Sequence, residues 1–118
     1  MHKIVVLLKR AEGMSPEEFR AWFLGPHIEL VRKVIREDGR FRRYAATFPT
    51  GMAGQPSPGD GGEQPPWDVI SEVWTDDEES ARSVFAALQR AGGPDDSRAN
   101  SSVRVAMFAE EVVIHDER

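Results

Sequence analysis

The hydrophobic pattern changes period several times along the chain. Residues 3–9 (KIVVLLK) are a compact run of Ile, Val and Leu, which reads as a strand covered on both faces. Residues 11–14 form a turn. Ser15-Pro16-Glu17-Glu18 then opens a helix: Ser15 caps it, Pro16 suits the first helical position, and Glu18 completes a capping box. From Phe19 the apolar residues recur at helical spacing through Trp22, Phe23, Leu30, Val31, Val34 and Ile35. Gly25-Pro26 interrupts them. Pro26 cannot donate to the carbonyl of Trp22, so the pattern predicts a kink, or a stop followed by a second helix starting near residue 26. Gly39 ends the element.

Residues 40–48 alternate as a strand, with Phe41, Arg43, Ala45 and Thr47 on one face and Arg42, Tyr44, Ala46 and Phe48 on the other. Residues 49–66 hold five glycines and five prolines and are expected to be a flexible loop without regular structure, either a lid or a surface insertion. Residues 67–75 (WDVISEVWT) predict a third strand on which Ile70, Glu72 and Trp74 share a face. A second helix opens over residues 76–79 and carries Ala81, Val84, Phe85 and Leu88 on its apolar stripe. Ala91-Gly92-Gly93-Pro94 closes it, residues 95–102 are polar, and residues 103–114 predict a last strand. The order βαββαβ predicts an α+β, ferredoxin-like plan: an antiparallel four-stranded sheet with two helices on one face. The other face would be left bare. A second copy would cover it, which makes a homodimer the expectation.

Composition narrows the class. A chain of 118 residues is most simply one domain over residues 1–118. It has no cysteine, which excludes disulfides and thiolate metal sites. A formal charge of −5 argues against a nucleic-acid partner held through phosphates. The apolar run at residues 4–8 is too short for a membrane span or a signal segment, so a cytoplasmic protein is expected. His2, His27 and His115 have no metal-ligand spacing, and the GDGG of the long loop lacks the strand–helix context of a phosphate loop. No metal and no organic cofactor is expected.

Several segments resemble one family. The opening KIVVLLKRAEGMSPEEFRAWF, with His27 five residues after Trp22, is similar to the EthD family, as are WDVISEVWTDDEESAR and the ending FAEEVVI. The likeness spans about three-quarters of the chain and fails over residues 49–66 and 92–102. In EthD-like chains a small residue and a proline tend to follow the histidine; here Gly25-Pro26 precedes His27. The resemblance implies the dimeric α+β barrel group, which includes cofactor-free polyketide cyclases, lactone isomerases, quinol-forming monooxygenases and haem-degrading enzymes. It also implies a small, flat, apolar ligand in a cleft between helices and sheet. Likeness of fold does not select a reaction.

Against that background His27 is the first candidate catalytic residue, because an imidazole exchanges protons near neutral pH. The plain alternative is a helix-edge histidine bonded to a nearby carbonyl. Glu72, among apolar neighbours, is the second: it would orient His27 or act as a base, unless it is simply paired with Arg42 or Arg43. Tyr44 or Arg43 would stabilise an oxyanion. Trp22, Phe23, Trp67 and Trp74 would line a pocket for an aromatic ligand, or else serve as core. The leading expectation is a cofactor-free enzyme that abstracts a proton beside a carbonyl, leading to cyclisation, dehydration or isomerisation. The alternatives are a cofactor-free monooxygenase of a phenol, haem ligation by His27, and a non-catalytic accessory or ligand-binding dimer. The acidic third strand lacks the basic, glycine-containing aromatic pattern of an RNA-recognition module.

Overall fold

A computed structural model describes residues 1–118. In chain order it has β1 (His2–Arg10), α1 (Pro16–Trp22), a π-helical turn (Phe23–His27), α2 (Ile28–Glu37), β2 (Arg43–Thr47), β3 (Val69–Thr75), α3 (Glu78–Arg90), α4 (Gly93–Asn100) and β4 (Ser101–Glu110). The four strands form one antiparallel sheet in the order β2-β3-β1-β4. This is the ferredoxin-like arrangement.

The expected barrel is not what the chain forms. The sheet is open, with β2 and β4 as its two edges and both β3 and β1 between them. Closure requires the edge strands to pair, and four strands are too few to curl through a full turn around a filled interior.

Local chemistry accounts for most of the element ends. Ser15 and Glu18 form the capping box in full, each side chain bonded to the other's backbone N–H. Asp77 caps α3 by accepting from the Ser80 N–H at 2.7 Å. At Gly25-Pro26 the expected irregularity takes the form of a change of helix type. The helix widens into a π-turn, in which the Ile28 N–H reaches the carbonyl of Phe23, and continues as α2. An inserted residue in the helical ladder absorbs a proline that an α-turn would reject. The widened turn puts Phe19, Phe23, His27 and Val31 on one buried side.

α4 goes beyond the elements expected from the sequence. Residues 95–102 read only as polar, but Gly92 adopts a left-handed φ of 87° and turns the chain into a new helix beginning at Gly93. The loop over residues 49–66 contains one 3-10 turn, Pro58–Asp60, held by a Ser57–Asp60 side-chain bond.

The helices pack on one face of the sheet, against Ile4, Val6 and Leu8 of β1 and Val69, Ser71 and Val73 of β3. The core there has two lobes. Ile4, Val73, Ala81 and Val84 form one; Leu8, Phe19, Phe23 and Val69 form the other. Full burial of side chains such as Phe19 and Phe23 contributes about 1.5–3 kcal/mol each. Val6 touches both lobes, and the gap between them is where the candidate site lies.

Candidate functional site

A cavity of about 50 Å³ opens between the helices and the sheet. That is room for roughly three to five waters. Its walls are mostly apolar, and its polar side chains are His27, Tyr44, Ser71, Ser97 and Arg104. They come from five different elements: the π-turn, β2, β3, α4 and β4. No residue of the 49–66 loop lines the cavity.

His27 is buried, its ring lying against Trp22 (centroids 5.0 Å apart) and Phe23 (4.8 Å). Its Nδ1 stands 2.9 Å from Oδ2 of Asp96. The other oxygen, Oδ1, accepts from the Trp22 indole N–H at 3.3 Å. A carboxylate can only accept, so in the neutral ring Nδ1 carries the proton and Nε2 is left basic, without a partner in the chain. Burial pushes the His27 pKa down, the Asp96 hydrogen bond and charge oppose that, and the positive charge of Arg104 adds to the lowering. The net result is an imidazole that is neutral at pH 7.

Two buried polar atoms on this cavity have no hydrogen-bond partner: the Tyr44 hydroxyl and Nε of Arg104. Ser71 lies near the phenol and opposes the effect of burial, but makes no bond of normal geometry to it. Burial raises the Tyr44 pKa, so the hydroxyl stays protonated and able to donate. Burial also lowers the pKa of Arg104, with Arg98 repelling it, yet a guanidinium remains charged at neutral pH.

The other sequence candidates fall elsewhere. Glu72 is not brought to His27. The alternation of β3 does place Ile70, Glu72 and Trp74 together, but on the sheet face away from the helices. There the Lys3 ammonium bonds Glu72, so its partner is a lysine of β1 rather than Arg42 or Arg43. Arg43 is also on that outer face, stacked 4.5 Å over the Trp74 ring, and Trp74 Nε1 donates to Glu111 at 2.8 Å. Trp67 lines a separate surface groove beside Phe19, Phe48 and Pro65. Phe23 does line the cavity; Trp22 does not, and instead packs against the His27 ring and donates to Asp96.

Asp96, Ser97 and Arg104 were missed by sequence reasoning. The signal for α4 was present: Gly-Pro followed by two aspartates is a helix start, read instead only as the end of α3. Nothing local marks Arg104, an arginine alternating with valines on an edge strand. No three His, Cys, Asp or Glu side chains converge in a way that could hold a metal ion. No helix is long and apolar enough to cross a membrane.

An open four-stranded antiparallel sheet with helices on one face places the chain in the ferredoxin-like class of α+β proteins. Within it, residues 11–98 match the EthD domain model, and the chain belongs to the EthD-domain family. Comparison with curated proteins gives no match. Among solved structures it is similar to an EthD-family protein of Bacillus halodurans C-125 (21% identity, TM-score 0.71, covering 95% of this chain and 99% of that one). It is also similar to a dimeric protein of unknown function with a ferredoxin-like fold from Bacteroides fragilis NCTC 9343 (12% identity, TM-score 0.63, 93% and 95%). A third is SnoaB, a cofactor-independent oxygenase of Streptomyces nogalater (14% identity, TM-score 0.60, 97% of each chain). At these identities the structures establish a shared fold.

Proposed function

We propose that this protein is a cofactor-independent acid–base enzyme that removes a proton beside the carbonyl of a small molecule bound in the cavity. One observation carries the reading: a buried His27, hydrogen-bonded to Asp96, lines the same cavity as the unpartnered Tyr44 hydroxyl. In this mechanism Nε2 of His27 takes the proton. Asp96 holds the tautomer and stabilises the imidazolium that forms, and Tyr44 donates to the oxygen of the enolate. The enolate then cyclises, isomerises or expels a leaving group according to the substrate. Glu72 has no part in it.

The test is deuterium exchange at the acidic carbon of small β-dicarbonyl compounds in heavy water, followed by NMR. The protein accelerates exchange over buffer, and His27→Gln slows it by about 100-fold or more, the usual contribution of a positioned general base. Exchange at the buffer rate with every compound overturns the reading. The shared fold with an oxygenase favours a second reading, in which the same base ionises a phenol that then reacts with O₂. Oxygen uptake with phenolic substrates distinguishes the two.

The protein acts in this reading as a homodimer. The outer sheet face exposes Val103 and Met107, and beyond β4 the chain exposes Val112, Val113 and Ile114. Apolar surface of that extent is costly to leave in water.

A further inference from the structure

The polar groups of the cavity differ in how well they are matched. His27 has Asp96, but Arg104 has no carboxylate. It makes no salt bridge, its Nε is sealed from solvent, and the charged neighbour that bears on it is another cation, Arg98. Asp96, the acid behind His27, is committed to His27 and Trp22. A half-buried cation whose Nε is cut off from water and which has no counter-ion is costly, and an anion arriving from outside would resolve it. Arg104 stands on β4, paired with Leu8 of β1, while Tyr44 stands on β2 at the opposite edge of the sheet. Both reach the cavity from the helix-covered face, and both bring a donor that nothing in the chain satisfies.

From this we infer that the cavity takes a small organic anion with a second oxygen acceptor, a keto acid in its simplest form, with the carboxylate on Arg104 and the keto oxygen on Tyr44. The inference rests on the cavity being the ligand site proposed above, and it adds a charge requirement that the acid–base reading does not contain. It also makes Arg104 a specificity residue rather than a part of the proton transfer. A neutral aromatic ketone would leave the guanidinium unmatched and so bind weakly. With space for only a few atoms, the ligand's polar end is buried and any larger remainder projects through the cavity mouth.

The probes are acetoacetate and acetoacetamide, which have the same shape and differ in charge. Titrations of the full chain at neutral pH, followed by NMR, give acetoacetate at least about tenfold tighter binding, the scale of one hydrogen bond to a charged group. Arg104→Met brings the two affinities within about threefold of each other, and Tyr44→Phe weakens both alike. Equal affinities in the unmodified protein, or an acetoacetate affinity unchanged by Arg104→Met, overturn the proposal, as does failure of acetoacetate to bind. Should Arg104→Met not fold, the comparison of the two probes on the unmodified protein still decides. The two proposals fail separately. Charge discrimination without deuterium exchange sinks the enzyme and keeps the anion site, while exchange without discrimination does the reverse.

Discussion

Nδ1 of His27 lies 2.9 Å from Oδ2 of Asp96, a residue 69 positions further along the chain. One side chain comes from a π-turn forced by a proline and the other from the first turn of a helix launched by a glycine. The same carboxylate also accepts from Trp22, so a single aspartate fixes both the imidazole and the indole packed against it. Asp96→Asn would break this arrangement, because an amide presents a donor to Nδ1 or only a neutral acceptor. Without the group that opposes burial, the pKa of His27 falls further. Two bonds weaken at once, and stability drops by about 1–3 kcal/mol. NMR titration of the His27 ring and urea unfolding measure the two effects; a His27 pKa that rises on this substitution would contradict the assignment.

Burial of His27 also gives the protein a pH-dependent stability of known sign. The unfolded ring titrates near 6.5 and the folded ring lower. Between those values the unfolded chain holds a proton that the folded chain does not, so acid favours unfolding. The contribution is fully present above about pH 6.5 and is lost as pH falls through the folded pKa, with a slope of at most about 1.4 kcal/mol per pH unit for one proton. Urea midpoints across pH 4–8 reveal it as a difference between the parent and His27→Gln, whose profile is flatter in that window.

The position of Asp96 depends on Gly92. Its φ of 87° lies in the left-handed region that a Cβ disfavours. Gly92→Ala therefore costs about 1–2 kcal/mol even though nothing stands where the new methyl would go. Strain at the start of α4 moves Asp96, so the His27 titration shifts along with the unfolding midpoint. A substitution that lowers stability while leaving that titration untouched would separate the helix from the site.

Glu72 provides the control. It bonds Lys3 on the outer face of the sheet, beside Trp74, where the pair is partly exposed. Glu72→Gln is expected to change stability by less than about 1 kcal/mol and to leave the His27 titration and ligand binding unchanged. Loss of binding in this variant would show that the outer face takes part in the site.

The outer face is tested through its apolar residues. Met107 is half exposed on β4, beside Val5 of β1 in the sheet. Met107→Asp places a charge in the proposed contact between copies, and light scattering after size exclusion should report a monomer where the parent is a dimer. A parent that is already monomeric at micromolar concentration disposes of the dimer.

What the sequence determined by itself was whatever rests on neighbours a few residues apart. The capping box at Ser15 and Glu18, the strand alternations and the start of α3 at Asp77 follow from backbone geometry and short-range hydrogen bonds, and they are legible as patterns. So was the grouping of Ile70, Glu72 and Trp74 on one face, since side chains on a strand alternate. Alternation does not say which face meets the helices, and on that point Glu72 and His27 parted. The response of the helix to Gly25-Pro26, a widened turn that leaves both Phe23 and His27 buried, is likewise absent from the local pattern. Only the tertiary structure brought Asp96 to His27, left Arg104 without an anion, and kept β2 and β4 apart in an open sheet. Those relationships join residues many positions apart, and their energies come from desolvation and pairing across the core, which no local pattern along the chain records.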